Sequence, residues 1–236
     1  MRYFRYFPKI PYDLDDNKAT RDIVDVFRLA KIISAIEDDI TFYRNYTIQE
    51  GERPDHVSTK LYGSQEYYWT FFLINETMKN SYNDWPRARN EVEEWTDEHY
   101  SGDYIKYTNY DLSTKFEVGE TVQGLISGAT ATIVDKDTNL GWIRINNRTG
   151  TFQDNELFRG LTSLDNGTIE GTGAFKFAAH HYEKDGYIVT RDTPLAAIVT
   201  NYDYEIEANE ARREIKVIRP EFITRVKRQF REAING

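Results

Sequence analysis

Cysteine is absent from the sequence, which excludes disulfide bridges, a thiolate nucleophile and a zinc-thiolate site. Long apolar runs are missing as well: no segment approaches the ~20 consecutive apolar residues that carry a helix across a bilayer. The opening stretch Arg2-Tyr3-Phe4-Arg5-Tyr6-Phe7-Pro8 has neither the apolar run nor the small-residue cleavage site of a secretory signal, so a cytoplasm-like compartment is expected. Positive charge is in deficit. A net charge of −9 and a pI near 5.1 leave no Lys and Arg excess to neutralise phosphates, which argues against a general nucleic-acid binder. Gly-x-Gly-x-x-Gly before a helix and a Gly-Lys-Thr run are also lacking, so Gly119, Gly124 and Gly128 read as turn glycines rather than a phosphate cradle.

Aromatic residues, by contrast, are abundant. With 17 Tyr, 13 Phe and 4 Trp they make up 14% of the chain, and such side chains bury large areas at little rotamer cost, so core and interfaces alike should be aromatic. The 236 residues suffice for one or two domains.

The stretch from Tyr46 to Asn75 organises the rest. Ile40, Phe42, Tyr46 and Ile48 share one face of a strand that ends in a turn at Gly51. Pro54 suits a first helical position and Asp55 places negative charge at the helix N-terminus, while Gly63 can take the left-handed conformation that ends a helix. Val57 and Leu61 lie one turn apart on that helix. Ser64 can cap a second helix, Gln65 to Ile74, in which Tyr68, Trp69, Phe71, Phe72, Leu73 and Ile74 leave almost no polar side, so it should be largely buried. Such a strand needs a partner for its backbone groups, and nothing directly after Asn75 supplies one. Glu214-Ile215-Lys216-Val217-Ile218 alternates as a strand and is the natural candidate. The expected core is therefore Tyr46, Ile48, Gly51, Leu61, Gly63, Trp69, Phe72, Ile215 and Val217.

Around this core, Pro8 and Pro11 favour an extended aromatic arm over residues 1 to 20. Thr20 can cap a helix from Arg21 to about Ile36, although Val24, Val26, Ile32 and Ile36 leave a strand open. Asp84 and Pro86 mark the start of a helix with Ala88, Val92, Trp95 and His99 on one face, His99 as a packed aromatic rather than a ligand. Residues 115 to 178 change texture to short strands, Gly and Thr, and contain a repeat: Phe116 to Gly124 aligns with Phe152 to Gly160. Each copy precedes a small-residue segment, Ser127 to Ala131 and Gly171 to Ala174. Beyond Pro194 the pattern returns to helix, then strand. Pro220 opens a last helix with Phe222, Val226, Phe230 and Ile234 on one face and Arg225, Lys227, Arg228 and Arg231 around it, either a solvated surface or one for an acidic partner.

Carboxylate pairs Glu93-Glu94 and Asp97-Glu98 lie on a helix surface with no apolar pocket to separate their pKa values, so no enzymatic pair is expected. His180-His181 with Asp185 invites a metal, but adjacent strand residues point to opposite faces and should not reach one ion. No catalytic, cofactor or metal residue is assigned.

The strand, glycine turn, short helix, Tyr62-Gly63 and apolar helix closing on Asn75 resemble the LysM module, a β-α-α-β unit, over about thirty residues. LysM modules commonly bind N-acetylglucosamine polymers, near the loops that correspond to Gly51–Pro54 and Asn75–Thr77. Here Arg53-Pro54 replaces the usual small hydroxyl residue. Taken with Asp22-Ile23, Gly51-x-x-Pro54, Tyr68-Trp69, Asp84-Trp85-Pro86 and the late run Asn209-Glu210 to Ile218, the chain resembles baseplate wedge protein 53 of T4-like contractile-tail bacteriophages over roughly 1 to 110 and 195 to 236. Asn80-Ser81 departs from the Asp-Pro usual in that family's loop.

The resemblance implies a structural virion protein of the tail baseplate, assembled in the host cytoplasm and present once per wedge of a six-fold ring. It would pack against other wedge proteins, those numbered 6, 7 and 25 in T4-like phages, and link adjacent wedges, with no nucleic acid, membrane or small-molecule substrate as partner. The alternative is a LysM-type peptidoglycan-binding module. Expected interface residues are Tyr3, Phe4, Tyr6, Phe7, Arg53, Pro54, Trp85, Arg225 and Arg228. The expected fold class is α+β: an arm and helix at 1–38, a LysM-like β-α-α-β core and following helix at 39–112, an inserted small all-β domain, barrel or sandwich, at 113–180, and C-terminal helices with the closing strand at 181–236.

Overall fold

The computed structural model of the protein describes residues 7–13, 20–24, 42–78 and 83–235. The chain divides into two compact units: the first joins the residues up to Ala88 with Asn209–Gly236, and the second is Arg89–Ala208.

In the first unit, strands β1 (Lys9–Asp13) and β2 (Thr20–Val24) form an antiparallel ribbon with Ile10 opposite Ile23. The extended path expected around Pro11 is present. The helix expected from Arg21 begins instead as strand β2, because Thr20, Ile23 and Val24 are β-branched and Lys9–Asp13 offers them a ladder; residues 25–36 of that expectation lie outside the described residues, as does Ile40.

Strand β3 (Tyr43–Thr47) turns at Gly51 into helix α1 (Pro54–Tyr62). Arg53 is the N-cap, with no side-chain hydrogen bond to the helix; Pro54 needs no N–H there and Asp55 meets the positive helix end. Gly63, at φ 68°, is the left-handed cap, its N–H donating to Thr59 O at 2.9 Å. The second helix is shorter than the apolar run suggests. Gln65–Tyr67 forms a 3₁₀ turn capped by Ser64, whose Oγ accepts from Glu66 N, and α2 proper is Trp69–Ile74. A 3₁₀ turn Glu76–Met78 follows.

The missing partner strand arrives from the far end of the chain. Strand β14 (Glu214–Ile218) pairs antiparallel with β3 in the register Ile215 to Tyr46 and Val217 to Arg44. Ile48, Val57, Phe71, Met78, Trp85, Ile215 and Val217 form the core between ribbon and helices, with Tyr46, Leu61, Tyr62, Tyr68 and Phe72 packed around it. After a 3₁₀ turn, Pro220–Phe222, helix α5 (Ile223–Asn235) buries Ile223, Val226 and Phe230. Phe230 stacks on Trp69 with ring centroids 4.2 Å apart, and Phe7 meets its edge at 6.3 Å.

The second unit opens with helix α3 (Arg89–His99). Val92 and Thr96 are buried, whereas His99 is exposed and stacks on Trp95 at 4.0 Å. A seven-stranded antiparallel sheet follows in the order β10-β4-β7-β6-β5-β8-β9. Its strands are β4 (Asp103–Lys106), β5 (Thr121–Gly124), β6 (Thr130–Asp137), β7 (Trp142–Thr149), β8 (Leu157–Gly160), β9 (Asn166–Thr168) and β10 (Gly171–Ala174). The two edge strands are separated in sequence only by Ile169 and Glu170, so the sheet curves into a half-barrel around Ile105, Val122, Ile133, Ile143, Ile145, Phe158 and Ile169. A three-stranded sheet, β12 (Tyr187–Val189), β11 (Ala179–Lys184) and β13 (Ala197–Thr200), packs with Trp142 and Phe175 through Ala179 and Tyr182. Helix α4 (Asn201–Ala211) then leads back to β14. The β-rich part thus begins before residue 113, because β4 is held between β7 and β10.

Candidate interaction surface

Asn75 fixes the β-α-α-β arrangement from the end of α2. Its Nδ2 donates to Phe71 O at 2.8 Å and to Lys216 O at 2.9 Å, and its Oδ1 accepts from Lys216 N at 2.8 Å. One side-chain amide therefore plays the part of a neighbouring strand at the outer edge of β14 while capping α2. Beside it lies an open groove of about 510 Å³ lined by Tyr43, Asn45, Ile74, Asn75, Glu76, Thr77, Glu214, Ile215 and Lys216.

The loop on the other side of α1 is pinned shut. Glu52 accepts from the Tyr46 hydroxyl at 2.7 Å, from Gln49 N at 3.0 Å and from Lys60 Nζ at 2.8 Å. Burial alone would raise the Glu52 carboxyl, but Lys60, the Gln49 N–H and the Tyr46 hydroxyl together hold it below the usual range. The Trp85 indole N–H donates to Glu52 O at 2.6 Å. Residues Gly51–Pro54 are thereby tied to strand, helix and Trp85, and the groove reaches Asn75–Thr77 without reaching them.

The residues expected at interfaces are scattered. Tyr3, Phe4 and Tyr6 lie outside the described residues. Phe7 and Trp85, at 7% and 6% exposure, sit in the core of their own unit instead of facing outward, since each is a large ring with aromatic neighbours to cover it. Pro54 is buried at the start of α1. Arg53 is exposed beside Asp55, Arg228 is exposed beside Glu232, and the Arg225 guanidinium lies 5.5 Å from the Phe42 ring.

In the second unit the repeat proves to be a pair of reciprocal latches. Glu120 accepts from Glu117 N, from Thr162 N and Ser163 N, and from Ser163 Oγ. Glu156 accepts from Gln153 N, from Ile126 N and Ser127 N, and from Ser127 Oγ. Each carboxylate closes its own turn and the loop of the other copy, and both are buried, at 6% and 1% exposure. Burial would raise both carboxyls, yet the converging N–H and hydroxyl donors outweigh it and lower them. A Cβ at Gly124 or Gly160 would collide with the serine hydroxyl and the carboxylate, so glycine is required there. The true counterpart of Ser127 is Ser163, each seven residues after its glutamate, and not the segment Gly171 to Ala174. The matched Glu-to-Ser spacing was visible in the sequence and could have revealed this.

His180 and His181 also differ from expectation. A bulge between Ala179 and His181 breaks the strand alternation and brings their Nδ1 atoms to 2.9 Å, with His180 stacked on Tyr204 at 3.8 Å. Burial, and then His181, lowers the His180 pKa. Among the described residues no group of three or more His, Cys, Asp or Glu side chains is placed to hold a metal, and no helix is long and apolar enough to cross a membrane.

Residues 2–116 match the family model described as base plate wedge protein 53. Over those residues, just under half of the chain, it is similar to that family. A comparison with curated proteins finds no match. That similarity supports a structural role in a phage tail baseplate and a place in the virion. The matched segment contains β3, α1, α2, Asn75 and Trp85, which form the pinned loop and one side of the groove, whereas β14, which lines the other side of the groove, and α5 follow it in sequence.

Proposed function

We propose that this chain is a structural part of a contractile-tail baseplate wedge that packs against other wedge proteins and links neighbouring wedges during tail assembly. Its β-α-α-β core is LysM-like in architecture and serves as a protein-packing module. The match of residues 2–116 to the wedge family carries this proposal. The open groove at Asn75–Thr77 and Lys216 supports it by offering a mixed polar and apolar surface beside a fixed core. The partners are the wedge proteins that correspond to those numbered 6, 7 and 25 in T4-like phages, and the adjacent wedges of a six-fold ring. The proposed interface includes exposed Arg53, Arg225 and Arg228.

Peptidoglycan binding is the competing role, favoured by the β-α-α-β order alone. It calls for a site shared by the Gly51–Pro54 and Asn75–Thr77 loops, and the groove contains only the second. The deciding experiment is co-purification of the full chain with the other wedge proteins of its genome, in parallel with sedimentation on peptidoglycan. Association with wedge proteins and none with glycan is the expected result; glycan binding without wedge association overturns the proposal.

A further inference from the structure

The two edges of the β3–β14 ribbon are finished differently. Arg219 N donates to Phe42 O and Ile48 N to Arg213 O, so the even-numbered positions carry the ladder between the strands. Tyr43, Asn45 and Thr47, opposite Ile218, Lys216 and Glu214, therefore turn their N–H and C=O groups away from β14. On the β14 side, Asn75 closes Lys216 and the Tyr62 hydroxyl donates to Ile218 O at 2.9 Å. On the β3 side, Arg219 Nε and Gln49 Nε2 meet only the carbonyls of Tyr43 and Thr47. Between them the backbone N–H and C=O of Asn45 have no hydrogen-bond partner among the described residues. An open edge of this kind is a template for another strand.

The groove continues from that edge, since Tyr43 and Asn45 line both. It contains two exposed carboxylates, Glu76 and Glu214, whose side chains form no hydrogen bond or ion pair among the described residues, and one cation, Lys216, placed 4.9 Å from the Tyr43 ring.

We propose that the β3 edge takes up an extended strand of another baseplate protein, held by backbone hydrogen bonds at Asn45 and presenting a lysine or arginine to Glu76 and Glu214. A second copy of this chain fits less well. Its own outward-facing backbone groups belong to Tyr43, Asn45 and Thr47, so pairing through them would turn those uncharged side chains to the groove and leave both carboxylates unanswered. The inference rests on the wedge-assembly role proposed above and names how one contact is made.

Hydrogen exchange of the full chain, free and within purified tails, tests it. The Asn45 amide should exchange rapidly in the free chain and about 100-fold more slowly in tails. Asn45→Pro removes the outward N–H without touching the β3–β14 ladder. It should lower incorporation into wedge complexes about tenfold while Asn45→Ala incorporates normally, and Glu76→Gln with Glu214→Gln should weaken incorporation and its salt dependence. Equal Asn45 exchange in both states, or full incorporation of a folded Asn45→Pro chain, overturns the inference. Protection in the free chain with a dimeric mass also overturns it, in favour of self-pairing. If Asn45→Pro does not fold, the exchange comparison on the unaltered chain decides alone. Failure of the unaltered chain to enter wedge complexes removes the assembly role itself and this inference with it.

Discussion

At the scale of single residues, polar side chains do the work usually assigned to backbone. Asn75 supplies an amide where β14 has no further strand among the described residues, so Asn75→Ala leaves Lys216 N–H and C=O and Phe71 C=O to find other partners. The cost should be about 1–3 kcal/mol, read as a lower urea midpoint with an unchanged slope. Glu120 and Glu156 act likewise on the loops opposite them. Both carboxyls are lowered in the folded state from an ordinary value of 4.5, so their stabilisation is present above about pH 4.5 and is lost as pH falls through the folded values. The Arg89–Ala208 unit should accordingly lose thermal stability on acidification below that point. The Glu120→Gln, Glu156→Gln double variant should be weaker at pH 7 and much less sensitive to acid, because a glutamine amide turns an N–H₂ toward donors. A variant with the unaltered acid transition would place the cause elsewhere.

Among the elements, α2 has the largest consequences for its length. Its six residues bury Trp69, Thr70 and Phe71, and Trp69 joins α2 to α5 through Phe230. Trp69→Ala should cost about 3–5 kcal/mol, a large share of the ~5–15 kcal/mol that stabilises a typical domain. Loss of the near-ultraviolet circular dichroism and a markedly lower melting temperature would show it; an unshifted melting curve would remove Trp69 from the core. The boundaries of α1 could be read from Pro54, Asp55 and Gly63 because each acts through its own backbone geometry. The 3₁₀ turn at Gln65–Tyr67 could not, since the hydrophobic pattern is the same for one long helix. What separates the two is Ser58 in the preceding helix, whose Oγ accepts from Tyr67 N at 3.2 Å and donates to Ser64 O at 2.6 Å.

For the whole molecule, the first unit contains its own point of departure and return. Asn209 Oδ1 accepts from Arg87 N at 2.8 Å and its Nδ2 donates to Arg87 O at 3.1 Å, so the chain on either side of the second unit is held together by one side chain. Residues 89–208 expressed alone should fold cooperatively, and replacing them by a short Gly-Ser bridge should leave the first unit folded, with its Trp69 fluorescence and β3–β14 ladder intact. Global unfolding of the bridged chain would show instead that the two units depend on each other. The bounds 113–180, expected from texture alone, miss α3, β4 and the β11–β13 sheet, because helix and strand patterns at 89–106 do not announce which sheet they join.

The sequence by itself determined the things that act locally: the turn at Gly51, the helix from Pro54 to Gly63, the alternating strand at Glu214–Ile218, the repeated Phe-to-Gly segments and the resemblance at Tyr46–Asn75 and Trp85-Pro86. It also implied that β3 and β14 pair, because a strand without a backbone partner is unstable and only one candidate was at hand. Tertiary structure alone decided that Thr20–Val24 is a strand, that Phe7 and Trp85 are covered by their own unit, and that a bulge joins His180 to His181. It also decided that one edge of the ribbon is closed by Asn75 and that the other, among the described residues, is left open at Asn45. Each of these depends on which distant group supplies a hydrogen bond or covers a ring, and neither propensity nor periodicity along the chain carries that information.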